Sequence, residues 1–525
     1  MSSRMQQGQP LFILAEGSQR TRGQSAQDSN IRAGRAVASA VRTTLGPRGM
    51  DKMLVSDSGD VVITNDGATI LNKMDIEHPA AQMIVEVAET QEDEVGDGTT
   101  TAAVLTGELL AKAENLLEDD LHPTVSVEGY TEAARLAQEA IDAQVLDVDL
   151  DDDLLVKVAE TSMTGKGTGD VTADALAQHV VRAVRMVHDG NERFDRDDID
   201  VHTRTGASSS ATELVEGVII DKEPVNDEMP RHVEDATVAV VDVKLDVRKA
   251  EADTEYNISS VEQLTAALDA EENELRSYAT SLKEAGVDVV FCTKSISDRV
   301  ASYLAKEGIL AFKSVKKSDA RRLAKATGAK RIGSLTDIDA DDFGHADSVS
   351  IEKYGDDELA FVKGGAASQS VTLLLRGGTE HVVDELERAI NDAIDVTVAA
   401  IDKGGVVPGA GCTEIAIADH IRSEAAGIEG RKQLAVEAFA DAVEALPRTL
   451  AENVGMDPID ALVDLRSRFE SEGRAGVIAT GRFGEIADPV EHGVLDPAAV
   501  KREAVESATE AATMILRIDD VIAAE

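Results

Sequence analysis

Gly96-Asp97-Gly98-Thr99-Thr100-Thr101 runs directly into an apolar series at helical spacing, Ala102, Leu105, Leu109, Ala113 and Leu116. Glycines that lead into a helix leave backbone N–H groups free at the positive end of its dipole, which suits phosphate. Three consecutive hydroxyls add donors. The carboxylate of Asp97 would repel phosphate unless a hard divalent cation lies between them, and Mg²⁺ binds through one or two carboxylates plus substrate phosphates. The stretch therefore predicts a Mg-nucleotide loop at the head of a helix. For the hexapeptide alone the alternative is an Asp N-cap in a glycine-rich turn.

Around this loop, residues 24–150 read as predominantly helical, with helical spacing through Ile31–Thr44, Ala68–Met74, Pro79–Thr90, Thr101–Leu117 and Val125–Ala143. A short strand, Val61–Ile63, interrupts them, and the acidic run Asp147–Asp153 marks a seam. From about 200 to 376 the pattern changes. Apolar runs at Leu214–Ile220, Thr237–Val243, Val287–Cys292, Ile309–Val315, Ser348–Tyr354 and Val371–Leu375 alternate with helical segments such as Val261–Ala285 and Ser297–Lys306. That alternation is the signature of an α/β domain. Helices then return at Asp384–Ala400, Arg431–Val454 and Pro497–Val521. The order helical, α/β, helical predicts a middle domain inserted into a helical one whose core both chain ends complete.

Composition narrows the function classes. The 525 residues carry a net charge of −47 with 43% hydrophobic residues, so the charge lies on a folded surface rather than in a disordered chain. Such a surface repels nucleic acid and anionic membranes, and neither is expected as a partner. Tryptophan is absent and arginine outnumbers lysine. With the acid dispersed through the chain, this predicts a halophilic, salt-rich cytoplasm. Cys292 and Cys412 are expected to be buried thiols in a reducing compartment. No apolar run approaches 18 residues and Met1–Pro10 is polar, so neither a membrane span nor a secretion signal is predicted.

Four further stretches suit a nucleotide. They are Thr44-Leu45-Gly46-Pro47-Arg48-Gly49, Thr64-Asn65-Asp66-Gly67-Ala68-Thr69, Thr161-Ser162-Met163-Thr164-Gly165-Lys166-Gly167 and Pro408-Gly409-Ala410-Gly411. Each alone reads equally well as a turn. There is no G-x-x-x-x-G-K-[ST], and Gly167 rather than a hydroxyl follows Lys166, which argues against a P-loop fold. Taken together, the chain resembles the chaperonins, specifically the archaeal thermosome and eukaryotic cytosolic (group II) branch. The strings that carry the resemblance are TLGPRGMDKML (44–54), TNDGATIL (64–71), GDGTT (96–100), VEGVIIDKEPV (215–225) with VVFCTKSISD (289–298), and MILRIDDVI (514–522).

The resemblance implies an α+β multidomain chaperonin fold. Its mainly helical, discontinuous equatorial domain would span 1–150 and 404–525, its small intermediate domain 151–220 and 370–403, and its inserted α/β apical domain 221–369, with a helical lid protrusion at about 246–274. It implies an ATP-hydrolysing chaperone that encloses and folds non-native proteins in a double ring of this chain, of paralogous subunits, or of both. ATP and Mg²⁺ are the implied cofactors, with K⁺ a further candidate. Residue by residue, Asp97 would hold Mg²⁺, and Gly98, Thr99, Thr100 and Thr101 would cradle the phosphates. Leu45, Gly46 and Pro47 would line the α/β-phosphate side. Asp392, in the helical segment 385–393, would orient the attacking water with help from Asp66. Thr164, Gly165 and Lys166 would form the loop that senses the γ-phosphate, and Gly409, Gly411, Ala479 and Asp496 would surround adenine and ribose. In-line transfer to water needs positioning and charge neutralisation more than covalent catalysis, and these residue types supply both.

Three departures from the family pattern stand out. Ala410 replaces the middle glycine of a triplet, which puts a methyl group where backbone meets nucleotide. Arg48 replaces a common lysine. The sequence ends at Ala523-Ala524-Glu525 without the family's glycine-rich tail, so substrate contacts by such a tail are not expected. Two rival readings are a non-catalytic ring-forming holdase or scaffold, which the presence of Asp66, Asp97, Lys166 and Asp392 disfavours, and a small-molecule phosphotransferase, for which no acceptor pocket is visible.

The charge yields a first prediction. A ring of such chains concentrates several hundred negative charges, and repulsion between subunits falls only as the screening length shortens. Assembly and ATP turnover are expected at molar KCl, with dissociation at about 0.1 M, where the screening length is about 10 Å. Sedimentation velocity across a KCl series measures this. A ring that stays intact at low salt without Mg²⁺ or nucleotide would contradict the halophilic reading.

Overall fold

Three prolines set the starts of helices in the part of the molecule built from the chain ends. Pro79, Pro123 and Pro458 occupy first-turn positions, where a missing N–H costs nothing. The side chains of His78, His122 and Asp457 cap the same helices by accepting from backbone N–H groups. The structure is a computed structural model that describes residues 19–167, 171–190, 196–247, 261–335, 338–354, 357–365, 370–481 and 483–523. It divides into two compact units, Met1–Gly167 with Ala389–Glu525, and Thr168–Arg388. The first unit is therefore discontinuous in the chain and mainly helical.

In the first unit the helices Gln24–Val41, Pro79–Val95, Thr99–Glu118 and Pro123–Gln144 pack with Cys412–Ala425, Lys432–Val443 and Ala498–Leu516. Their apolar faces make one core in which Ile84, Leu105, Leu109 and Tyr130 from the first half meet Val436, Phe439, Val505 and Ile515 from the second. Tyr130 stands edge-on to Phe439, with centroids 5.7 Å apart, and its hydroxyl donates to the Leu109 carbonyl at 2.8 Å. Four two-stranded antiparallel ribbons complete the described part of this unit. Gln19–Arg22 pairs with Asp520–Ala523, Lys52–Val55 with Val61–Thr64, Val406–Pro408 with Leu495–Pro497, and Gly476–Thr480 with Phe483–Ala487.

The second unit carries a nine-stranded mixed sheet. Its order is Ile199–Thr205, Val371–Gly377, Glu213–Ile220, Asp357–Gly365, Gly344–Tyr354, His232–Val241, Val289–Cys292 and Leu310–Phe312, and Arg331–Ile332 also pairs with His232–Val241. Phe291 and Phe312 stack at 4.9 Å within its core. The predicted strands are all present with shifted ends. Of the predicted protrusion, 248–260 lie outside the described residues, and Val261–Glu284 forms one helix.

Three local expectations need correction. Arg431–Val454 is two helices, Lys432–Val443 and Ala445–Asn453, because Pro447 can sit in a first turn but not in a helix interior. The helix expected to reach Val521 stops at Leu516, and Val521 instead pairs with Thr21 near the other chain end. The helix expected from Thr101 begins at Thr99, which puts all three hydroxyls in its first turn. Both cysteines are buried and free, as expected, and no described helix is long and apolar enough to cross a membrane.

Because Phe439 joins the two halves of the core, Phe439→Ala should lower unfolding free energy by about 3–5 kcal/mol. Urea denaturation at fixed molar salt measures the loss, and a change below 1 kcal/mol would mean that this contact does not hold the halves together.

Candidate functional site

The helix Thr99–Glu118 opens without a side-chain cap. Gly98, at φ 83°, occupies its N-cap position and cannot reach back to the first-turn N–H groups. Asp97 does not cap it either, since its Oδ1 accepts from the N–H of Gly98 at 2.7 Å. The N-cap alternative for Asp97 therefore does not apply. Gly67 approaches this turn so closely that a Cβ there would lie 2.6 Å from Thr100 Oγ1 and 2.8 Å from its backbone nitrogen. Asp66 is the cap of the helix Gly67–Lys73, accepting from Thr69 N at 2.6 Å through Oδ2, while its Oδ1 accepts from the Thr99 hydroxyl at 3.1 Å. Asn65 Nδ2 donates to the Gly165 carbonyl at 2.8 Å, which ties this turn to the loop that carries Lys166. Lys166 in turn forms a buried ion pair with Asp392 on the helix Glu380–Asp402. Gln91 Nε2 donates to the carbonyls of Asp97 at 2.7 Å and Val500 at 3.2 Å, fixing the loop against the last long helix.

These elements wall a cleft of about 450 Å³, within the size range of nucleotide pockets. Apolar lining comes from Leu450, Val477, Ile478 and Val494. Lys501 Nζ lies 2.7 Å from Glu414 Oε1 and 2.8 Å from Asp496 Oδ2.

The model of the TCP-1/cpn60 chaperonin family matches residues 37–525. The chain belongs to that family. Over 526 residues the chaperonin is 80% identical to thermosome subunit 3 of Haloferax volcanii, an alignment that covers 100% of both chains. It is 54% identical to thermosome subunit 1 of the same organism, covering 100% of this chain and 93% of the relative. It is also 54% identical to thermosome subunit alpha of Halobacterium salinarum, covering 98% and 92%. These relatives bear out the group II, halophilic archaeal resemblance, and the function is that of an ATP-dependent chaperonin.

Of the residues singled out in the sequence, Leu45, Gly46, Pro47, Asp66, Asp97, Gly98, Thr99, Thr100, Thr101, Thr164, Lys166, Gly411, Ala479 and Asp496 line the cleft of the chaperonin. Gly165 and Gly409 stand just behind it, and Asp392 is reached through Lys166 rather than from the cleft itself. Ala410 lines the cleft at φ 57°, a left-handed conformation that costs a side-chain residue about 1–2 kcal/mol. Its methyl lies 2.9 Å from where a Cβ on Gly476 would be. Glu414 and Lys501 were missed. One signal was available for Lys501, an unfavourable cation in the first turns of a helix, which asks for carboxylates nearby.

The electrostatics favour a bound cation. Burial, and then the charges of Asp97 and Asp66, push the Asp392 carboxyl up to about 7, against the pull of Lys166. Partial removal from water, and then Asp66 and Asp392, push the carboxyl of Glu92, a residue with an exposed edge, up to about 8. Burial opposes the charge of Lys166, but Asp392 and Asp97 outweigh it and hold the ammonium above its ordinary value. One lysine thus faces four acids. Among the described residues no three His, Cys, Asp or Glu side chains form a metal site by themselves. That donor set fits a Mg²⁺ held by Asp97 and completed by substrate phosphates.

A group whose folded pKa is raised binds a proton that the unfolded chain has released, so its contribution declines as pH rises from the ordinary carboxyl range to the raised value. Without metal or nucleotide, the thermal midpoint of the chaperonin should fall between about pH 5 and about pH 8. Asp392→Asn should flatten that slope, and Mg²⁺ should raise the midpoint more at the alkaline end. Differential scanning calorimetry at molar salt checks it, and equal slopes for both proteins would remove Asp392 as the cause.

Proposed function

We propose that this chaperonin binds Mg-ATP in the cleft of its first unit and hydrolyses it to drive the folding of non-native proteins. The observation that carries this reading is the convergence, on one cleft, of the uncapped helix start at Thr99–Thr101, the Asp97 carboxylate and Lys166, whose ammonium is ion-paired to Asp392 behind it. The N–H groups and hydroxyls of Thr99, Thr100 and Thr101, with Gly98, hold phosphate oxygens. Leu45, Gly46 and Pro47 line the α/β-phosphate side. Asp97 would hold Mg²⁺, which would supply charge neutralisation at the phosphates. K⁺ is proposed as a second cation.

Asp392 orients the attacking water, and its raised pKa suits it to accept that water's proton near neutral pH. Asp66 assists. Lys166, with Thr164 and Gly165, reads the γ-phosphate, because loss of that charge alters the balance in which the ammonium is held. Gly409, Gly411, Ala479 and Asp496 surround adenine and ribose.

At the level of the assembly, 1–150 with 404–525 form the equatorial domain, 151–220 with 370–403 the intermediate domain and 221–369 the apical domain that binds unfolded protein. The segment at about 246–274 acts as the lid. The working form is a double ring in the cytoplasm. The presence of at least two thermosome subunits in Haloferax volcanii supports a ring that mixes paralogues.

Asp392→Ala should keep ATP affinity and lose steady-state hydrolysis by roughly 100- to 10,000-fold, since it removes a group needed at the transition state. Asp97→Ala should weaken Mg-dependent nucleotide binding itself. Equilibrium binding of a fluorescent ATP analogue, with phosphate release measured in parallel, separates the two. Identical phenotypes would refute this division of roles, and binding without turnover in the unmodified protein would favour the holdase reading.

A further inference from the structure

Lys501 is the fourth residue of the helix Ala498–Leu516, where its ammonium faces the positive end of the helix dipole. Two carboxylates offset that penalty from opposite sides. Glu414, 4% exposed, binds Lys501 through Oε1, and its Oε2 has no hydrogen-bond partner among the described residues. Asp496 binds Lys501 through Oδ2 but is more open, with 23% of its side chain exposed, and it lines the cleft. The lysine, which with Glu414 itself lines the cleft, therefore holds one oxygen of Asp496 and leaves the other as an acceptor. Gly409 adds a wall, since a Cβ there would come within 3.1 Å of Asp496 Oδ2. The clamp is also held in register with the phosphate end of the cleft. Val500, next in sequence to Lys501, is bonded through its carbonyl to Gln91, the side chain that also holds Asp97.

We propose that Lys501, backed by Glu414, is a positioning residue that fixes Asp496 to accept a hydrogen bond from the ribose hydroxyls and so makes the cleft select ribonucleotides over deoxynucleotides. The proposal rests on the Mg-ATP reading of the same cleft. An ionised carboxylate only accepts, and a hydroxyl supplies the donor. A carboxylate free to rotate could turn to water when that hydroxyl is missing. One held by a buried ammonium cannot, and an analogue lacking the hydroxyl leaves it unpaired.

The test compares ATP, 2′-deoxy-ATP and 3′-deoxy-ATP as substrates of the assembled protein at molar KCl with Mg²⁺. The unmodified protein should show a KM at least roughly tenfold higher for one of the deoxynucleotides, the size of a hydrogen bond to a charged group, with kcat little changed. Lys501→Met should bring that ratio to within about twofold. This variant leaves the buried Glu414 and the cleft carboxylate Asp496 without their cation and could fail to fold. The double variant Glu414→Gln with Lys501→Met removes the excess charge while still releasing Asp496, and it should show the same loss of discrimination. A merely structural lysine would raise KM equally for all three nucleotides and leave the ratio intact. That result, or a lack of sugar discrimination in the unmodified protein, overturns the proposal. If the unmodified protein neither binds nor hydrolyses ATP, the underlying Mg-ATP reading is what fails.

Discussion

The buried ion pair between Lys166 and Asp392 is the interaction on which the rest of the first unit turns. The chain leaves that unit at Gly167 and returns to it at Ala389, so the pair joins the last residues before the departure to the first turn after the return. A pair buried this deeply is costly unless its partners are fully compensated. Here the surrounding acids provide more negative charge than one ammonium can balance. A bound cation would relieve that surplus, so the pair that closes the chain also sets the local demand for positive charge.

Much of this was legible in the sequence because its signals are local. The loop at Gly96–Thr101 states its own conformation, since two glycines and three hydroxyls before an apolar helix leave few alternatives. Strands such as Val289–Cys292 and Leu310–Phe312 read from short apolar runs because they are buried on both faces. What could not be read is whatever depends on distant pairing. Val406–Pro408 and Leu495–Pro497 are three-residue strands that exist only because they find each other. The ribbon that joins Gln19–Arg22 to Asp520–Ala523 is invisible to any window along the chain, which is why the final helix was read too long. The roles of Gln91, Glu414 and Lys501 were likewise hidden, because each is an ordinary helical residue until the fold brings its partner near. Asp392 could be singled out only through the family resemblance, because nothing in its helix distinguishes it locally from Asp395.

The contrast between surface and cleft is also instructive. Acidic residues are spread over the exterior, where salt screens them and most contribute little individually. Inside, a few carboxylates each have an assigned counter-charge. Glu444, 4% exposed, is held by both Arg422 and Arg466, and this keeps its carboxyl below the ordinary range despite burial. Glu414 has Lys501, and Asp392 has Lys166. Acid can therefore accumulate outside without destabilising the core, provided that every buried carboxylate is matched.

The discontinuity of the first unit has a consequence for the order in which the molecule is made. Residues 168–388 carry their own sheet and core and can fold as soon as they have been synthesised. The cleft cannot, because it needs residues 44–166 together with 410–501, and the ribbon between the two ends of the unit needs the strand that ends at Ala523. A nascent chain therefore contains the whole inserted unit before the last residues of the cleft have been added.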